Sequence, residues 1–228
     1  MILAKNYLEK LRTNEIMNLS EFVVTENFKH HSNNILPKDY ENDVKSIYKE
    51  EMNYLKNSEI FVAKNDEGDI LGSIRTLKWN YVDVLPLQKI FGINPLLAIG
   101  DISLNEIWHI GRFAIKKEVK DINLFKKLMV CAISPICSNK GNIAFAECDS
   151  KLLRVLSLLG IKTNVIGESI NYLGSETIPI SMTYDGLIGF YNENKGLVPT
   201  NVLNQFAENS SLPKSVVFDS QELNYSFV

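Results

Sequence analysis

The stretch Glu106-Ile107-Trp108-His109-Ile110-Gly111-Arg112-Phe113-Ala114-Ile115 decides the fold. Its side chains alternate with the period of a β-strand, and strand parity puts Trp108 and Phe113 on opposite faces. The period then changes. Phe125, Leu128, Met129, Ala132, Ile133 and Ile136 recur at helical spacing, and Pro135 kinks or ends that helix. A second apolar run, residues 143–148, reads as the next strand, and residues 151–159 as a short helix closed by Gly160.

Upstream, residues 60–63 and 70–77 are short apolar runs separated by Asn65-Asp66-Glu67-Gly68-Asp69, whose turn chemistry predicts an antiparallel hairpin. Residues 37–56 carry Tyr40, Val44, Ile47, Tyr48, Met52 and Leu55 as one apolar stripe against a charged face, an amphipathic helix. Residues 14–31 fit a strand followed by a helix or a single helix ending near His31, the second being favoured, and residues 2–12 read as a short extra helix. The stretch around Pro86 and Pro95 reads as irregular. Residues 163–172 and 178–184 flank Gly174 and look like closing strands. The order of helices, three antiparallel strands, helix, strand, helix and two strands is that of an α/β (α+β) sheet flanked by helices. Residues 1–196 are expected to form one domain with an N-terminal helical extension. Residues 197–228, with Pro199, Pro213 and a run of Asn and Ser, are expected to form an extension packed on it.

With 228 residues, 45% hydrophobic and 22% charged, the chain can bury a sizeable core but has little room for two domains. Its 24 Lys and Arg against 27 Asp and Glu leave a net charge of −3, which disfavours a globally basic nucleic-acid binder. Cys131, Cys137 and Cys148 do not have zinc-site spacing, and no histidine follows them, so no metal is expected. An odd cysteine count without a secretory signal fits a reducing compartment, where each thiol packs as a small apolar group. Lys5, Glu9, Lys10 and Arg12 interrupt the amino terminus before any apolar run reaches the length of a signal peptide or membrane span. A cytoplasmic protein is expected.

Two stretches carry more than periodicity. Gly72-Ser73-Ile74-Arg75 is followed a short way on by Leu85-Pro86-Leu87-Gln88-Lys89-Ile90-Phe91. Trp108-His109-Ile110-Gly111-Arg112-Phe113-Ala114-Ile115 resembles the Trp-Glu-x-Ser-Arg-Phe strand of acyl-homoserine-lactone synthases and long-chain N-acyl amino acid synthases, both of the GNAT acyltransferase fold. Residues 128–141, 153–160 and 165–167 follow that family's order, and the resemblance covers roughly residues 59–185. His109 and Gly111 stand where the family carries Glu and Ser, so Trp108, Arg112 and Phe113 carry over directly. The amino-terminal Arg, Phe, Trp and paired-Asp pattern of lactone synthases has no clear counterpart in residues 14–60. The wider N-acyltransferase reading is therefore favoured over lactone synthesis.

The resemblance implies transfer of a fatty acyl group from an acyl carrier protein or acyl-CoA thioester to the amine of a small metabolite such as an amino acid, with no tightly bound cofactor. It also implies a GNAT-like, mostly antiparallel twisted sheet. Its central strands, residues 106–115 and 143–148, would splay to admit a pantetheine arm. A main-chain N–H near Phe113, Ala114 and Ile115 would polarise the thioester carbonyl. Two side chains are candidate proton acceptors. His109 lies in the strand lining the cleft, and an imidazole can take a proton at neutral pH, although a hydrogen-bonded structural role suits it equally. Glu147 lies between Ala146 and Cys148, where burial would fit it to proton transfer unless an arginine pairs with it. Arg75 and Arg112 stand out against apolar surroundings and could hold an internal acid or orient a substrate carboxylate or carbonyl. Trp108 and Phe113 could wall an acyl pocket or belong to the core, and Leu128, Met129 and Ile133 could border an acyl tunnel.

Acetyl-CoA users of this fold generally carry a Gly-rich loop after the third strand. Residues 116–127 instead contain Lys116, Lys117, Lys120, Lys126 and Lys127 against Glu118 and Asp121, with no glycine, a local charge of +3. Such a patch could steer a strongly acidic acyl carrier protein, or be a solvated helix face. The alternatives are an acetyl-CoA-dependent GNAT acetyltransferase and a catalytically silent GNAT-like ligand-binding protein. The missing glycines disfavour the first, and the replaced Glu and Ser keep the second open.

Overall fold

The computed structural model describes residues 7–31, 36–99, 106–172 and 175–203. In chain order these form β1 (Tyr7–Lys10), α1 (Ile16–His31), α2 (Tyr40–Tyr54), β2 (Ser58–Lys64), β3 (Ile70–Lys78), α3 (Pro86–Phe91), α4 (Pro95–Ile99), β4 (Ile107–Ile115) and α5 (Ile122–Ile133). There follow β5 (Ile143–Cys148), α6 (Ser150–Leu158), β6 (Asn164–Val165), β7 (Ile170–Tyr172), β8 (Ser175–Thr183), α7 (Tyr184–Asn194) and α8 (Thr200–Leu203). The strands make one mixed sheet in the order β1-β2-β3-β4-β5-β8-β6, with β7 paired to β8. β4 and β5 run parallel, and the other pairs are antiparallel.

Local chemistry fixes the boundaries. In the β2–β3 turn the Asn65 side-chain oxygen accepts the amides of Glu67 and Asp69, and Gly68 takes a φ of 89° that a side chain would disfavour. Asp121, Asp149 and Thr183 cap α5, α6 and α7 by accepting the amides of Asn123, Leu152 and Gly186. One face of the sheet, including Ile74, Ile110, Ala144 and Met182, packs on α5 and α7. On the other face, Leu77, Ile107 and Phe145 pack against Tyr54 of α2 and Leu85 and Leu87. Cys131, Cys137 and Cys148 are free and buried in the first of these clusters. Burial pushes all three thiols up to about 12, as suits packing residues.

The structure corrects several sequence expectations. Residues 7–10 form an edge strand rather than part of a helix, because Tyr7 through Lys10 pair in register with Lys64 through Phe61. The proline-containing stretch forms α3 and α4, each with proline at its first position, where the missing N–H costs nothing. Residues 163–172 are two short strands rather than one. The closing strand ends at Thr183, whose cap starts α7, a helix the apolar pattern did not predict. Among the described residues no helix is long and apolar enough to cross a membrane. Most of the expected C-terminal extension, residues 204–228, and residues 2–6 of the expected N-terminal helix lie outside the described residues.

Candidate active site

The alternation of β4 breaks at Arg112. Arg75 sits opposite Gly111 and Ser73 opposite Ala114, so Ile74 faces two residues, Arg112 and Phe113. This β-bulge holds Arg112 at a φ of 54°, a conformation uncommon for a side-chain-bearing residue. Ser73 Oγ pins it by donating to the Arg112 carbonyl at 2.8 Å. The extra residue turns Phe113 back onto the Trp108 face, against the parity expectation. Phe113 meets Phe125 edge-on at 5.1 Å beside the core cluster that contains Trp108. The two central strands also part here. Their pairing ends at Ile110 opposite Ala146, although β4 continues to Ile115 and β5 to Cys148. Lys116 N donates to Leu71 O on the β3 side, and His30 Nε2 donates to the Ile115 carbonyl at 3.0 Å. By alternation, the Ile115 main chain therefore faces away from β3, toward the gap.

A chain of charged and polar groups crosses the floor of this gap. Arg75 is fully buried; its Nη1 donates to Glu51 Oε1 at 2.5 Å, and its Nη2 lies 3.0 Å from His109 Nδ1. A guanidinium can only donate, so Nδ1 is the acceptor and the ring proton sits on Nε2. Nε2 lies 3.0 and 2.9 Å from the two oxygens of Glu147. Both ring nitrogens are thus engaged, and a second proton at Nδ1 would point at the Arg75 guanidinium. His109 orients Glu147, and Glu147 ends the chain at the cavity. Arg112 donates Nε to Glu51 at 2.6 Å and Nη2 to Glu50 at 2.5 Å. Burial pushes the Glu51 carboxyl up, but Arg75 and Arg112 outweigh that and hold it below the usual carboxylate range. Burial likewise opposes the Arg112 charge, and Glu51 and Glu50 overcome it, raising its pKa.

The departures at His109 and Gly111 form one unit. A Cβ on Gly111 would lie 3.0 Å from Arg75 Nη2 and 3.1 Å from His109 Cε1, so the guanidinium and the imidazole would have to shift to admit one. Gly111→Ala is expected to displace the Arg75–His109 contact and to cost about 1–3 kcal/mol of stability, measured by denaturant unfolding. A variant as stable as the parent would contradict this packing.

The gap opens into a cavity of about 530 Å³, within the size range of small-molecule sites. Its wall changes character through the sheet. On the α5 side it is apolar, with Phe113, Phe125, Met129, Leu156, Ile180 and Met182. On the α2 side it presents Glu50, Arg112, Glu147, Tyr172 and Thr177. Ala114 and Ile115 line it between them.

The cavity brings together Arg75, His109, Arg112, Phe113, Ala114, Ile115 and Glu147 from the sequence-predicted set. Trp108 is buried in the core and is not part of the wall. Met129 borders the cavity as expected of a tunnel residue, whereas Leu128 and Ile133 point into the core. Of the lysines, Lys116 and Lys120 line the mouth. Lys117 is tied to α1, with Nζ on the Lys29 carbonyl and its amide on Glu26, and Lys126 and Lys127 lie on α5 away from the wall. Sequence reasoning missed Glu50, Glu51 and Tyr172. The signal was Glu51 itself, four residues after Ile47 and so on the buried stripe, while Met52, assigned to that stripe, is exposed.

A mixed sheet whose parallel central strands part beyond a bulge places this chain in the GNAT fold. No protein-family model matches the sequence, and no curated protein matches it. Solved structures do. FeeM, an N-acyl amino acid synthase from uncultured soil microbes, superposes with a TM-score of 0.59 at 14% identity, covering 85% of this chain and 99% of that one. A GNAT-family acetyltransferase from Staphylococcus aureus Mu50 gives 0.51 at 14% identity, covering 79% and 99%. BjaI, a CoA-dependent acyl-homoserine lactone synthase solved with SAM and isopentyl-CoA, gives 0.51 at 13%, covering 84% and 90%. At these identities the likeness is one of fold.

Proposed function

We propose that the protein is an N-acyltransferase that moves a fatty acyl group from a thioester to the amine of a small metabolite. The observation that carries this is the through-sheet cavity, apolar on the α5 side and charged on the α2 side, with the parted strands between. The acyl chain lies along Phe125 and Met129, and the pantetheine arm enters between β4 and β5. The amine approaches from the Glu147 side. Its nitrogen attacks the thioester carbonyl, a C–N bond forms, the C–S bond breaks, and the sulfur leaves as a thiolate that takes a proton from solvent. Main-chain N–H groups in the stretch after the bulge, Phe113 to Ile115, stabilise the oxyanion. Glu147 takes the amine proton, and His109, held by Arg75, is its positioning residue. Incubation with acyl carrier protein and CoA thioesters of graded chain length and an amine panel tests the reading by thiol release and mass spectrometry. Amine-dependent release with long chains supports it. Release with acetyl-CoA alone favours an acetyltransferase, and no release with any donor favours a binding protein.

The donor proposed is an acyl carrier protein rather than CoA. Asp121 caps α5 and occupies the Asn123 amide at 2.9 Å, placing a carboxylate where a CoA pyrophosphate would seek first-turn amides. A carrier's single phosphodiester brings fewer negative charges to that carboxylate than CoA does, and Lys116, Lys120 and Lys151 line the cavity. The double variant Lys116→Glu, Lys120→Glu is expected to weaken carrier binding about tenfold (~1.4 kcal/mol) at low salt, with the difference shrinking at high salt. Unchanged affinity at low ionic strength would remove the docking role.

A further inference from the structure

The α2-side chamber contains two arginines, and each already holds a carboxylate. Arg75 divides its guanidinium between Glu51 and His109. Arg112 presents its Nε–Nη2 edge, the pair of donors that grips a carboxylate side-on, to Glu51 Oε1 and Glu50 Oε1. Glu50 lies on the cavity wall with 18% of its side chain exposed, and it also approaches Arg75 Nη1 at 3.9 Å and Lys89 Nζ at 3.6 Å. It therefore holds the place at Arg112 that an incoming carboxylate would need. Outside the described residues the sequence holds two further Lys, Arg or His residues, Lys5 and Lys214. Glu147, by contrast, has no Lys or Arg within salt-bridge distance among the described residues. Its partner is the Nε2–H of His109.

We infer that Glu50 is a specificity-determining residue that stands in for a substrate carboxylate at Arg112, so the acceptor is an amine without a carboxylate. Alkyl- and aralkylamines and amino acid esters fit, with the cationic nitrogen drawn to Glu147. An amino acid would bring a second anion beside Glu50 and Glu147, where the Arg112 Nη2 donor is already held by Glu50. This rests on the acyl-transfer reading above and narrows its acceptor.

Calorimetric binding without any acyl donor tests it, comparing tyramine with tyrosine and leucine methyl ester with leucine. The wild type is expected to bind the carboxylate-free partner at least about tenfold more tightly. Glu50→Ala frees the Nη2 donor and is expected to erase or reverse that ratio. Glu50→Gln, which keeps an acceptor for Arg112 and the side-chain shape, is expected to shift it the same way by less, and circular dichroism checks that both variants are folded. Tighter binding of the amino acids, no binding of any amine, or a ratio indifferent to Glu50 would each overturn the assignment. Selective amine binding with no acylated product from any thioester would remove the acyl-transfer reading and leave Glu50's role intact. Preferential acylation of amino acids would do the reverse.

Discussion

Glu51→Ala is expected to lower the unfolding free energy by about 3–5 kcal/mol in urea denaturation. The loss arises from what the substitution leaves behind. Arg75 is fully buried and Arg112 nearly so, and Glu51 Oε1 is the acceptor they share at 2.5 and 2.6 Å. Without it Arg75 keeps the His109 ring and a longer 3.9 Å approach to Glu50, and Arg112 keeps Glu50, so two buried guanidiniums share one carboxylate. A loss below about 1 kcal/mol would mean that the arginines relax to solvent. The pH dependence follows from the same pair. The Glu51 carboxyl is held below its unfolded value of about 4.3, so its contribution is fully present above that pH. The contribution is lost as pH falls through the lower folded value. Wild-type stability should therefore drop more steeply below about pH 4 than that of Glu51→Gln, and equal slopes would contradict the pairing.

Glu147→Gln is expected to reduce kcat by about 10²–10⁴, or ~3–5 kcal/mol of barrier, with the KM for the acyl thioester little changed. The amide keeps the shape and can still meet His109 Nε2, but it cannot carry away the amine proton. Stability should hardly move, because the guanidiniums pair with Glu50 and Glu51 rather than with Glu147. His109→Leu removes the donor that orients the carboxylate and should lower kcat by a smaller factor. His109→Gln, which can restore a donor, should recover part of it. A Glu147→Gln enzyme within about threefold of the parent would show that Glu147 is not the proton acceptor.

Much of the fold was legible because its signals are local. Ile143–Cys148 is an apolar run between turn residues, and it forms the predicted strand residue for residue. The hairpin was legible in Asn65 and Gly68, and α2 in its stripe. What escaped depends on partners distant in sequence. Leu8 and Leu11 suit a helix or a strand equally, and pairing with β2, some fifty positions on, decides. The bulge at Arg112 is a two-against-one register with β3, so parity counted through it puts Phe113 on the wrong face. At the site, residues from β3, β4 and β5 were found because charged groups stand out in apolar strands. Glu50 and Glu51 were hidden in a helix whose other face is also charged. His109 was a fair candidate base by residue type. In the proposed reaction, the Arg75 guanidinium on its Nδ1 and Glu147 on its Nε2 make it a positioning residue instead.

The most direct test of the central claim, that acyl transfer occurs in the gap between β4 and β5, is a crystal structure with a non-hydrolysable long-chain acyl-pantetheine analogue. The account predicts the carbonyl surrogate beside the main chain of Phe113 to Ile115, the acyl chain along Phe125 and Met129, and the Glu147 side left open to the amine. An analogue whose chain lies on the Glu50 and Tyr172 side, or that binds outside the parted strands, would contradict it.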